Sequence, residues 1–154
     1  MTKHIKIYQK KSTDLTPNDL IYISELITLI EFLTNEYIQH SNKFTKGKYL
    51  DIEARKNLIG VEKIKICSIN KNSPLEICLL FEYGFAISEI LDLVFSKNFY
   101  ERLIEFYEKH IYCKKITEVK RVEIYQKFTK WNSALKVVKG LFLFYKIVDC
   151  MNKN

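Results

Sequence analysis

Apolar and polar residues alternate at the start of the chain and then change to a helical period. Ile5 and Ile7 alternate with polar residues over 4–9, HIKIYQ, which predicts a half-buried β-strand. Over 17–40 the apolar residues recur on one broad face at the 100° spacing of an α-helix. Thr16 suits the N-cap and the proline that follows suits the first helical position, so we predict that this helix begins at residue 17.

Two β-forming runs on either side of a polar turn predict a hairpin over 63–81. A turn centred on Asn72 and Ser73 collects the apolar residues on one face and makes Cys67 and Cys78 cross-strand neighbours. A disulfide between them would need an oxidising compartment and strained geometry, so we predict two reduced thiols.

The motif SINKNSPLEI, from Ser68 to Ile77, lies in this hairpin. It resembles a strand pattern, roughly I-S-x-x-S-P-L-E, that precedes a long helical tail in a group of uncharacterised small bacterial proteins. The layout of residues 1–110 is similar to that group as well. The resemblance implies the hairpin and a cytoplasmic location, and it transfers no activity and no site residues.

The second half of the chain is dominated by apolar residues at helical spacing. The segment 83–95 is apolar on more than one side, so it needs either central burial or a second chain. A C-terminal helix is predicted over 134–150. We expect a homo-oligomer that forms through the 83–95 helix or through this C-terminal helix. An amphipathic helix is predicted over 99–111. The segment 116–131 fits helix or strand, and helix is favoured because no turn signal brackets a strand.

These elements predict one α+β domain over 1–154. In its first part, 1–81, a small sheet that contains antiparallel strands is covered by the first helix, and in its second part, 82–154, the chain is helical. The polar stretch 41–60 is predicted to form a loop. Four glycines and two prolines are few, which argues against an all-β sandwich or barrel.

Positive charge is concentrated in the last third of the chain. Residues 1–108 hold 14 Lys and Arg against 15 Asp and Glu, whereas residues 109–154 hold 11 against 3. Aromatic residues are interleaved with these cations. The pattern is typical of a surface for an anionic partner, and the candidate residues are Lys114, Lys115, Lys120, Arg121, Lys127, Lys130, Trp131, Lys136 and Lys139.

Three interpretations of this basic region remain open. A non-enzymatic binding or regulatory protein would use it to engage nucleic acid, with low sequence specificity because Arg121 is the single arginine of the region and arginine dominates base readout. An immunity-type or inhibitor protein would bind one cognate protein partner, and an acidic protein would suit this surface. The third interpretation is a solvated face in a lysine-rich proteome.

Catalytic and metal-binding motifs are missing from the sequence. The three histidines, His4, His40 and His110, stand in unrelated contexts, and no cysteine pair has C-x-x-C or Cys/His zinc spacing. We therefore predict no catalytic, cofactor or metal site. A small enzyme whose site is assembled from dispersed residues is the remaining alternative.

The sequence also predicts no integral membrane association. No apolar run reaches the roughly 18 residues that a membrane span needs. The first residues, MTKHIKIYQKK, have no apolar segment typical of a secretory signal, so a cytoplasmic location is expected.

Overall fold

The computed structural model describes residues 3–10, 14–40, 61–70, 74–141 and 143–148. The elements within these residues are β1 (Lys3–Gln9), α1 (Pro17–His40), β2 (Lys65–Asn70), β3 (Glu76–Phe81), α2 (Ile87–Val94), α3 (Phe99–Phe106), a π-helical turn (Tyr107–Tyr112), α4 (Glu118–Phe128), a 3-10 turn (Thr129–Trp131), α5 (Asn132–Leu141) and β4 (Leu143–Val148). The predicted α+β class is confirmed. The loop predicted over 41–60 and the turn predicted at Asn72 and Ser73 lie outside the described residues.

The four strands form one antiparallel sheet in the order β2-β3-β1-β4. Ile5 and Ile7 of β1 pair with Leu79 and Ile77 of β3, and all four side chains are buried on the inner face of the sheet. They belong to the same buried cluster as the apolar face of α1, so α1 covers the inner face as predicted. The alternate residues of β1 and β3 therefore point to the opposite, outer face.

The N-terminus of α1 is capped by reciprocal hydrogen bonds. The backbone N–H of Asp19 donates to Thr16 Oγ1 at 3.2 Å, and the backbone N–H of Thr16 donates to Asp19 Oδ2 at 3.0 Å. Both bonds satisfy donors that the first helical turn would otherwise leave free. The predicted start of the helix at Pro17 is confirmed.

The central part of the apolar segment 83–95, helix α2, is buried within this chain. All the apolar residues of α2 are at most 3% exposed, and they join the same cluster as α1 and the sheet. Central burial therefore accounts for their composition. The homo-oligomer stays a prediction.

The helix predicted over 134–150 is wrong in its second half. α5 ends at Leu141, and Leu143–Val148 form β4, which pairs with β1. The run LFYKIV consists mainly of aromatic and β-branched residues, which favour a strand once a partner edge is available. Tyr8 of β1 stacks on Phe144 at 5.2 Å between ring centroids, a cross-strand pair that helps to fix the register. Position 150 lies outside the described residues.

The predicted hairpin is present, but its register changes at a β-bulge. Ile66 pairs with Leu79 as predicted, whereas Ser68, and not Cys67, is the partner of Cys78. In a regular strand, two residues three positions apart point to opposite faces. The bulge between Ile66 and Ser68 places Ile66 and Ile69 on the same side, with Ile69 opposite Ile77, and leaves Cys67 as the extra residue.

The ambiguous segment 116–131 is helical, and the preference for helix is confirmed. Its apolar residues gave a weak pattern because two of them face solvent. Val119 is 71% exposed and Val122 is 43% exposed, whereas Ile124 and Phe128 are buried.

A buried carboxylate connects the segment before β2 to the turn after β3. The side chain of Glu62 is fully buried and accepts hydrogen bonds from the backbone N–H groups of Glu82, Tyr83 and Gly84, at 2.6, 3.1 and 2.9 Å. Bonds to an ionised acceptor are roughly twice as strong as neutral ones, which offsets the cost of burying the charge. The carboxylate therefore fixes the turn that leads into α2.

Side chains of α1 hold the same segment from the other side. Asn35 accepts the backbone N–H of Glu62 at 2.7 Å and donates to its carbonyl at 3.1 Å, while Glu31 Oε2 accepts the N–H of Ile64 at 2.8 Å. These bonds replace the strand partner that the segment lacks. Helix, hairpin and turn are thereby joined at one position.

Replacing Glu62 with glutamine is expected to destabilise the protein by about 1–3 kcal/mol, because an amide nitrogen in place of one carboxylate oxygen leaves at least one of the three backbone N–H donors without an acceptor. Urea denaturation followed by circular dichroism measures the change. Glu82→Gln removes the same charge from an exposed side chain, so its effect should stay within about 0.5 kcal/mol. Equal losses in the two variants would contradict the role of Glu62.

Candidate anion-binding surface

The structure places the nine predicted residues along one continuous stretch of chain after the π-helical turn. Lys114 and Lys115 precede α4, and the others follow along the helical segments to α5: Lys120, Arg121 and Lys127 on α4, Lys130 and Trp131 in the 3-10 turn, and Lys136 and Lys139 on α5. All of the lysines except the half-buried Lys120 are exposed.

A first group of lysines surrounds a surface depression of about 280 Å³ before and along α4. Lys114, Lys115 and Lys120 line it together with Tyr112. The ammonium group of Lys120 lies 5.5 Å from the centroid of the Tyr112 ring and 3.4 Å from Glu123 Oε1. The nearby Tyr112 hydroxyl, and then the Glu123 carboxylate, raise the pKa of Lys120, which stays cationic at neutral pH.

A second group surrounds a depression of about 460 Å³ between the start of α3 and α5. Lys136 and Lys139 of α5 line it with Lys97, which lies outside the predicted set. Lys139 Nζ donates to the backbone carbonyl of Lys97 at 3.4 Å. Tyr100 and Asn132, joined by a hydrogen bond between their side chains, form part of the wall. Two basic depressions with an aromatic wall therefore lie on the helical side of the protein.

Trp131 does not belong to the exposed surface. The side chain is 4% exposed and its ring packs against Phe32 and Phe128, with centroids at 5.4 and 5.3 Å. Lys127 and Lys130 lie over the Phe32 and Trp131 rings, at 5.0 and 4.5 Å. This ring is therefore a packing element and is not positioned to stack on a base.

Arg121 is half-buried, like the adjacent Lys120 and unlike the other candidate lysines. Its Nε atom is buried and has no hydrogen-bond partner within the described parts of the chain. The single arginine of the region therefore contributes less exposed charge than the sequence suggested.

Acidic residues from the first two thirds of the chain neutralise part of the basic region. Lys127 Nζ lies 3.6 Å from Glu36 of α1, and Lys109 Nζ lies 3.7 Å from Glu89 of α2. Among the candidate lysines, and within the ranges that the structure describes, five are exposed and have no acidic partner within ion-pair distance: Lys114, Lys115, Lys130, Lys136 and Lys139.

Glu36 is the centre of a polar cleft of about 350 Å³ that sequence analysis did not predict. Its carboxylate accepts a hydrogen bond from the Tyr107 hydroxyl at 2.8 Å and lies 3.7 Å from His40 Nε2, in addition to the contact with Lys127. Both carboxylate oxygens thus have partners from α1, α4 and the π-helical turn. The arrangement holds these elements together, which explains why Glu36 and Tyr107 converge although they are 71 positions apart.

A second convergence that the sequence pattern missed lies on the outer face of the sheet. His4, Cys67 and Cys78 have donor atoms within 4.8 Å of one another. Spacing along the chain gave no sign of this cluster, because the three residues come from three different strands. Only the strand order could have revealed it. β1 pairs with β3, and this places His4 close to the two cysteines of the hairpin.

No helix in the described residues combines the length and the apolar character that crossing a membrane requires.

The buried Tyr107 and the half-buried Tyr145 predict that the protein loses stability in alkali. Burial, followed by the charge of Glu36, raises the pKa of Tyr107, and burial followed by the hydrogen bond to Asp92 raises the pKa of Tyr145 to about 12. The unfolded chain loses these protons near pH 10, whereas the folded chain retains them. The free energy of unfolding is therefore expected to fall as the pH rises from 10 toward 12, and less steeply in Tyr107→Phe.

Urea midpoints between pH 8 and pH 12 measure this slope. Tyr22→Phe is the matched control, because no carboxylate in the described residues accepts a hydrogen bond from the Tyr22 hydroxyl. If Tyr107→Phe, Tyr22→Phe and the wild type give parallel curves, the buried Tyr107 hydroxyl is not the source of the alkaline loss.

Comparisons with protein-family models, with curated proteins and with solved structures found no match to this chain.

Proposed function

We propose that this chain is a non-enzymatic, cytoplasmic binding or regulatory protein whose basic C-terminal third engages an anionic macromolecule, with nucleic acid as the favoured partner. The surface proposed to do this, called the basic surface below, consists of Lys114, Lys115, Lys120, Lys127, Lys130, Lys136 and Lys139.

One observation carries the proposal: five exposed lysines of this surface have no acidic partner within the described ranges, although acids pair with Lys120 and Lys127 nearby. An ammonium group without an acidic partner is available to neutralise a phosphate. Contact with phosphates releases counterions from the nucleic acid, and this release favours binding. The two lysine-lined depressions give a chain of phosphates two places at which to make such contacts.

The composition of the basic surface supports binding of low sequence specificity. Lysine is a point charge without the forked geometry that arginine uses to read guanine. Arg121 is half-buried and Trp131 is packed in the core, so neither supplies base readout. The half-exposed rings of Tyr100 and Tyr112, which line the two depressions, are the aromatic groups available for stacking on unpaired bases.

An acidic protein partner is the second candidate, and one observation favours it. Val119 and Val122 of α4 are 71% and 43% exposed, next to Lys120 and Glu123. An apolar pair one helical turn apart is a feature of protein interfaces and adds nothing to phosphate binding. An immunity-type or inhibitor protein would use these valines as the centre of its contact and the lysines as the rim.

The salt dependence of nucleic-acid binding tests the proposal. We expect the wild type to retain single-stranded nucleic acid on a filter at low salt, with an affinity that falls steeply as salt is added. The triple substitution K114Q/K115Q/K136Q is expected to reduce the slope of log affinity against log salt by about 2, since each lost phosphate contact on a single strand removes about 0.7.

The matched control is K10Q/K63Q/K65Q, which removes the same charge from exposed lysines outside the basic surface. Its slope should equal that of the wild type. No retention by the wild type at low salt would end the nucleic-acid proposal. Equal effects of the two triple variants would show that net charge, and not the basic surface, determines binding.

A further inference from the structure

We propose that His4, Cys67 and Cys78 bind one zinc ion on the outer face of the sheet. This site uses residues and a face of the molecule that the proposed function does not involve.

Strand pairing brings the three side chains together. His4 lies on β1, opposite Leu80 of β3, and Cys78 lies two positions along β3 from Leu80. Both side chains therefore belong to the outer face, and they are diagonal neighbours across one strand boundary. Cys67 approaches from β2, on the other side of β3.

The β-bulge directs Cys67 toward the other two residues. Cys67 is the extra residue between Ile66, which pairs with Leu79, and Ser68, which pairs with Cys78. The bulge keeps the two isoleucines of β2 on one side and leaves Cys67 free of a regular partner. Bulges are over-represented next to functional sites because they re-aim a single side chain. Here the re-aimed group is a thiol.

The distances fit a metal after small rotations. The imidazole nitrogen of His4 and the two sulfur atoms all lie within 4.8 Å of one another. Tetrahedral zinc, with Zn–S of about 2.3 Å and Zn–N of about 2.0 Å, needs donor atoms about 3.5–3.8 Å apart. The side chains would have to move together by about 1 Å, which rotation about their own bonds allows.

The donor set selects the metal. Two thiolates and an imidazole suit zinc, whereas calcium and magnesium require oxygen donors. Two thiolates also neutralise the charge of a divalent ion, so the complex carries no net charge next to the buried Cys78. The exposed Cys67 lies on the solvent side of the cluster, and three protein ligands leave the fourth position for water.

A bound zinc ion would connect three strands. β2 is an edge strand whose six residues are all exposed, and in the described residues β3 is its one strand partner. Coordination of Cys67 would attach this edge to β1 across β3. Backbone amides of β2 are then expected to exchange hydrogen more slowly with zinc present than with a chelator present.

Cobalt titration of the untagged, fully reduced protein tests the site. We expect one equivalent of Co²⁺ to produce a thiolate-to-cobalt charge-transfer band that zinc abolishes by displacement. Cys67→Ser and His4→Asn should each weaken cobalt binding by at least about tenfold. Cys67 is exposed, so its substitution is expected to leave the fold intact even if Cys78→Ser does not.

Cys113→Ser is the matched control, because Cys113 is an exposed free thiol outside the cluster and its loss should change neither the band nor the affinity. The proposal is overturned if the reduced wild type gives no charge-transfer band. It is also overturned if the band persists with unchanged affinity in both Cys67→Ser and His4→Asn.

Discussion

The buried carboxylate of Glu62 is the interaction on which the arrangement of the two layers depends. It binds three consecutive backbone N–H groups in the turn after β3, while Asn35 and Glu31 of α1 hold the backbone of the same segment. Gly84, the last of the three donors, has a φ of +66°, and a Cβ atom there would approach Lys3 Cδ to 2.8 Å. A glycine therefore fits both the left-handed backbone and the space beside β1.

The positions of the proposed zinc site and of the basic surface both depend on this arrangement. The segment held by α1 leads into β2 and so positions the bulge that carries Cys67. The turn held by Glu62 leads into the buried α2, which packs between α1 and α3. Ion pairs and aromatic contacts then complete the helical layer, where Glu36 joins α1 to α4 and Phe32 packs on Phe128 and Trp131. The exposed lysines of the basic surface that have no acidic partner in the described residues lie outside these ion pairs.

Local patterns predicted the elements whose stability is local. α1 carries its own cap and one continuous apolar face, and strand β1 alternates without interruption, so both were predicted closely. β4 was taken for helix because its aromatic and β-branched residues adopt a strand only when the edge of β1 is available, which is a property of the whole fold. The bulge was missed because a regular register also sorted most side chains correctly, and placed Ser68 on the apolar face and Ile69 on the polar face as its exceptions.

The sequence predicted which residue types form the candidate surfaces, but it did not predict which residues contact one another there. The excess of lysine after residue 109 is visible by counting, yet the partner of Lys127 lies on α1 and the partner of Lys109 lies on α2. Burial of Trp131 depends on Phe32, which the helical period places on the polar side of α1. The His4, Cys67 and Cys78 cluster requires three strands to be in register. Contacts of this kind are fixed by tertiary packing, which one chain's local pattern does not contain.

We propose that the partner of this protein binds on the helical side, at the lysines between 114 and 139. An NMR titration of the ¹⁵N-labelled protein with a short single-stranded oligonucleotide tests this placement most directly. If the basic surface is the binding site, the chemical shift changes are confined to amides near Lys114, Lys115, Lys130 and Lys136 and in the walls of the two depressions, and the β2 and β3 signals stay unchanged. Shifts centred on the sheet, or spread evenly over the molecule, would contradict it.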